Sequence, residues 1–109
     1  MPGNRPRPIL SALAEDPALQ DGIDEFVLDL AGRIDDLQDC ELRGDLAGLA
    51  ELSEELLRRS ARSGYDGLSR CASVVRFAAR EGSTEEARKA LVELTEMAHR
   101  VRLGHRGSV

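Results

Sequence analysis

The chain has 109 residues, 41% of them hydrophobic and 32% charged, which is enough for one domain with its own core and too little for two. With no Trp and only 3% aromatic residues, that core has to be aliphatic. A net charge of -5 and an isoelectric point near 5.0 argue against a sequence-independent nucleic-acid binder, and no run approaches the ~20 apolar residues of a membrane span. The expectation is a cytoplasmic protein that works on other proteins, with no nucleic acid and no membrane.

Residues 1–8 hold three of the four prolines and no apolar stretch of the signal-peptide kind, so they read as a flexible arm. Ile9 to Leu13 is a short apolar turn, and Asp16-Pro17 sets a capping acceptor before a proline at a first helical position, predicting a short N-terminal helix. From Asp21 to about Arg43, the residues Ile23, Phe26, Val27, Leu30, Ile34 and Leu37 keep the three-and-four spacing of a helix with one buried face. Gly44-Asp45 ends it and caps a second helix, striped by Leu46, Leu49, Leu52 and Leu56 and ending by Gly64.

A third helix is predicted from Asp66 to Arg80, with Leu68, Cys71, Ala72, Val75 and Ala79 inward and Val74 and Phe77 outside the stripe. Ser83-Thr84-Glu85-Glu86 has the form of a capping box and opens a fourth helix striped by Ala87, Ala90, Leu91, Leu94, Met97, Ala98 and Val101. Residues 104–109 read as a flexible polar tail carrying His105. Four amphipathic helices with short connections predict an all-α, antiparallel up-and-down four-helix bundle over residues 9–103.

The second helix and the turn after it read Leu52-Ser53-Glu54-Glu55-Leu56-Leu57-Arg58-Arg59-Ser60-Ala61-Arg62-Ser63-Gly64-Tyr65. This stretch resembles the motif of histidine-containing phosphotransfer (HPt) domains, Leu-Ala-His-x-Leu-Lys-Gly followed by small residues and a Gly-aromatic pair. Leu52, Leu56, Gly64 and Tyr65 match in register, and Phe26 to Leu30, Gly44-Asp45 and Glu81-Gly82 extend the likeness over residues 9–102, closest to the bacterial stand-alone type. The resemblance implies a four-helix phosphorelay module whose partner is a response-regulator receiver domain or a sensor histidine kinase.

The departures fall on the chemistry. Glu54 stands at the phosphohistidine position, Leu57 at the lysine that neutralises phosphate, and Arg58 at the glycine that leaves room for a docking receiver. A carboxylate is a poorer nucleophile than an imidazole and brings a negative charge to an acidic, Mg²⁺-dependent receiver pocket. The site therefore reads as degenerate: no catalytic residue, no enzyme activity, no cofactor and no metal.

What remains is a candidate partner-binding surface of Glu51, Glu54, Glu55, Leu57, Arg58, Arg59 and Arg62. Glu54 with Arg58 and Glu55 with Arg59 form four-residue helix pairs worth ~0.3–0.5 kcal/mol each, and an ordinary solvated face would look the same. Two alternatives stand beside this reading. Val74 and Phe77 could make the protein a self-associating bundle, giving a monomer or a weak homodimer. His99 could carry phosphate instead, although too few residues follow it for two further helices, and the plainer reading is a surface histidine near a helix end. Cys40 and Cys71 lack metal-ligand spacing and read as packed, reduced thiols.

Overall fold

The computed structural model describes residues 7–107. Four helices follow one another, α1 (Gln20–Leu42), α2 (Leu46–Arg62), α3 (Asp66–Arg80) and α4 (Thr84–Gly107), and each packs on its neighbour in sequence while α1 also packs on α4. That closed ring is the antiparallel up-and-down four-helix bundle expected from the four apolar stripes. Among the described residues no helix is long and apolar enough to cross a membrane.

The three reversals share one chemistry. Gly44, Gly64 and Gly82 have φ of 72°, 82° and 74°, the left-handed region that a side chain disfavours. In each turn the residue after the glycine donates its N–H to the carbonyl five positions back, Asp45 to Cys40, Tyr65 to Ser60 and Ser83 to Ala78, at 2.8–3.0 Å. The glycine N–H reaches the carbonyl three back. This is the Schellman closure, which satisfies helix-end carbonyls and turns the chain within three residues. Asp45 then caps α2 by accepting from the Gly48 N–H at 2.9 Å.

The core is aliphatic, as the composition requires. Leu30, Leu37, Leu49, Leu56, Leu68, Val75, Leu94 and Val101 are all buried. Phe26 and Tyr65 form a single stacked pair with ring centroids 5.7 Å apart. Between α2 and α3 the packing surfaces include small residues: Ala50, Ser53 and Ser60 from one helix and Ala72 and Ala79 from the other are buried. Small side chains let two helix backbones approach closely, and the Ser69 hydroxyl of α3 reaches the Leu57 carbonyl of α2 at 3.0 Å.

Three boundaries differ from the sequence reading. The short N-terminal helix is a single 3-10 turn, Pro17–Leu19, capped by Asp16 and running straight into α1. The fourth helix does not stop at Leu103: it continues to Gly107, so the expected tail from 104 is helical as far as the described residues go, and His105 lies on that helix 3.6 Å from Asp24. The expected flexible arm, 1–8, falls mostly outside the described residues. Its last part is held, because Arg100 Nε donates to the Arg7 carbonyl at 2.8 Å and the Ile9 N–H donates to the Arg100 carbonyl at 3.0 Å.

Gly104, at the start of the expected tail, lies inside α4. The backbone of Ile9 crosses the helix there so closely that a Cβ would collide with the Ile9 carbonyl oxygen. The glycine is a packing surface and not a stop signal. The same strand of chain continues across the α2–α3 turn, where the Ala12 N–H donates to the Gly64 carbonyl at 2.8 Å and the Ser11 hydroxyl donates to the Ser63 carbonyl. Residues 9–13 thus strap the end of the bundle across two glycines.

Ser53 and Ser60 on α2 are fully buried, and neither hydroxyl finds a hydrogen-bond partner among the described residues. A buried unpaired hydroxyl costs about 1–3 kcal/mol. Urea unfolding should therefore show Ser53→Ala to be more stable than the wild type by about 1 kcal/mol, whereas Ser53→Leu, which forces the helices apart, should lose about 1–3 kcal/mol.

Candidate functional site

Register on α2 decides where the two adjacent glutamates point. Successive helix positions are rotated by ~100°, so Glu54 and Glu55 cannot face the same neighbour. Glu54 turns toward α3 and Glu55 toward α1.

At Glu54 three guanidinium groups converge on one carboxylate. Arg80 lies at 2.7 Å, Arg76 at 3.6 Å and Arg58 at 3.8 Å, and the Glu54 side chain keeps 30% of its exposure. The Arg80 contact is a charge-assisted hydrogen bond of ordinary length. Arg76 and Arg80 stand one turn apart on α3, on the side that the small-residue contact presses against α2. The Arg76 Nε is buried without a hydrogen-bond partner, so the pair to Glu54 does not exhaust what that guanidinium can donate. Three arginines against one carboxylate leave an excess of two positive charges around Glu54.

Glu55 has a different environment. Arg59 Nε donates to it at 3.1 Å and Arg33 of α1 stands at 3.6 Å. The hydrogen bond from Arg59, aided by the Arg33 charge, holds the Glu55 carboxyl below the usual glutamate range against the opposing effect of burial. Arg33, Arg59 and Arg62 line a surface cavity of about 360 Å³ between the start of α1 and the end of α2, with Ile23 and Phe26 beneath them.

The residues singled out from sequence therefore divide their ion pairs between two neighbouring helices. Glu54 and Arg58 belong to the α2–α3 edge. Glu55, Arg59 and Arg62 belong to the α1–α2 edge. Glu51 is exposed on α2 and joins neither set of ion pairs, and Leu57 is half-buried, packed on the core. Arg76 and Arg80 were missed. Their signal was present in the sequence, two arginines four residues apart and off the apolar stripe of α3, but the helix that they face is a property of the packed bundle.

The remaining candidates lie elsewhere. His99 is exposed on the side of α4 nearer α1, where it shares a shallow depression with Asp35 and Arg102; the end of its helix is about one turn further on than expected. Cys40 and Cys71 are free, and burial pushes both thiols up, which keeps them protonated. Among the described residues no group of three or more His, Cys, Asp or Glu is placed to hold a metal ion. No family model, no curated protein and no solved structure matches the chain.

The Glu55 cluster sets a pH dependence with a definite sign. A carboxyl whose pKa is lowered by folding stabilises the fold above its ordinary value, and that contribution is lost as pH falls through the lowered value. Carboxyl titration followed by NMR should place Glu55 below a free glutamate, and Arg59→Gln should move it upward; an unchanged Glu55 titration in that variant would show that Arg59 is not the cause.

Proposed function

We propose that this chain is a phosphorelay signalling module of the HPt type that has lost its phosphoacceptor, and that it acts in the bacterial cytoplasm by docking a receiver or kinase domain. The observation that carries the reading is the three-arginine cluster on Glu54. A bare carboxylate at the phosphohistidine position would be repelled by the acidic pocket of a receiver. Within the cluster the carboxylate is over-neutralised, and the patch as a whole is cationic.

Such a patch suits an acidic rim in two ways. Arginines bind carboxylates in fixed, forked geometry, and a cationic surface raises the rate of encounter with an anionic one. Glu54 has a role in this arrangement that histidine would not fill as well: it holds three guanidinium groups together that would otherwise repel one another. Leu57, half-buried where the family has lysine, offers no competing charge.

Two measurements test the proposal. Calorimetric titration against receiver and kinase domains encoded in the same genome should give binding to at least one of them. The double variant Arg76→Glu/Arg80→Glu should weaken that binding by about tenfold or more, as should high salt. Failure of every such domain to bind removes the docking role. Incubation with a phosphorylated receiver should leave no acid-labile phosphate on this chain, and label appearing there would refute loss of the phosphoacceptor.

A further inference from the structure

The side of α3 turned away from Glu54 carries a second pattern. Arg70, Val74, Phe77 and Glu81 are spaced by four, three and four residues, which keeps them in one stripe along the helix, and all four are exposed. Val74 is 58% exposed and Phe77 66%, the latter being one of only two phenylalanines in the chain. Neither charge at the ends of the stripe enters an ion pair within the chain among the described residues, whereas Arg76 and Arg80 on the other side of the same helix are both committed to Glu54.

The order along the stripe is positive, apolar, apolar, negative, and the spacing is symmetric about its centre. Arg70 precedes Val74 by four residues and Glu81 follows Phe77 by four. A half-turn about an axis through the midpoint of Val74 and Phe77 therefore lays Arg70 on Glu81 and Val74 on Phe77. A surface that is its own complement under a twofold rotation is what an isologous interface requires.

We propose that a second copy of this chain docks here, forming a twofold homodimer through antiparallel α3 helices. Val74 packs on the partner's Phe77 at the centre, and Arg70 pairs with the partner's Glu81 at each end. The apolar pair is then enclosed by charge pairs in the usual arrangement of an interface. A shallow groove beside the stripe, lined by Ala78 and Ala90 where α3 meets α4, gives the incoming Phe77 ring a place to lie. Parallel pairing is disfavoured, because it sets Arg70 on Arg70 and Glu81 on Glu81. The dimer leaves the Glu54 patch free, since that patch lies on the α2 side of α3.

The rotational symmetry makes the proposal testable by charge exchange. In sedimentation equilibrium the wild type should show a reversible monomer–dimer equilibrium. Arg70→Glu alone and Glu81→Arg alone should each weaken it by about tenfold or more, because each places like charges at both ends of the interface. The double variant Arg70→Glu/Glu81→Arg should regain wild-type association. Mixing the two single variants should produce a heterodimer that neither forms by itself. Circular dichroism of each variant verifies that the helices are intact, as expected for exposed positions. A wild type that stays monomeric throughout, a double variant no better than the singles, or single variants that fail to pair when mixed would each overturn the proposal.

Discussion

The close approach of α2 to α3 is the constraint on which the rest of the molecule depends. The buried residues of the two helices include small ones on both, Ala50, Ser53 and Ser60 on α2 and Ala72 and Ala79 on α3. Once the two helices lie that near each other, their flanking residues have no freedom to avoid one another. Arg76 and Arg80 are carried to the Glu54 carboxylate, and the Ser69 hydroxyl meets the Leu57 carbonyl. The ion cluster is thus a consequence of packing, since exposed ion pairs of this kind contribute too little to position helices by themselves.

The bundle was legible because its information is local. Each apolar stripe repeats at helical spacing, and each reversal is marked by a glycine followed by a residue that closes the Schellman turn, so the number and direction of the four helices and the lengths of α1 to α3 follow from short segments. Gly104 was misleading because glycine has two uses. At Gly44, Gly64 and Gly82 it supplies a left-handed backbone, while at Gly104 it supplies the absence of a side chain beneath Ile9, and nothing within its own helix distinguishes the second use from the first.

The site was legible only in part, for a related reason. The sequence assigns Glu54, Glu55 and the arginines after them to a polar face, and that assignment holds. It does not say which neighbouring helix each residue meets, because the rotation of α2 against α3 is a property of the packed bundle. Ser53 and Ser60 sit at stripe positions but read as polar, so the inward face of α2 looked narrower than it is and Arg76 and Arg80 had no stated neighbour.

The two proposed surfaces divide α3 between them, and the division follows from the same packing. One side of the helix is buried, one side leans on α2 and spends its arginines on Glu54, and the third keeps Arg70 and Glu81 unspent at the ends of an apolar pair. A helix in a closed ring of four has only this much surface to give. Arg76 and Arg80 are gathered around Glu54 on the α2 side and so stand apart from the charges of the outer stripe. The pairing of Glu54 with Arg76 and Arg80 therefore does two things: it gathers a cationic patch at one edge and leaves the opposite edge with a balanced, self-complementary pattern. A dimer built on that pattern would present two Glu54 patches, one on each subunit, so that docking at one edge and association at the other need not compete.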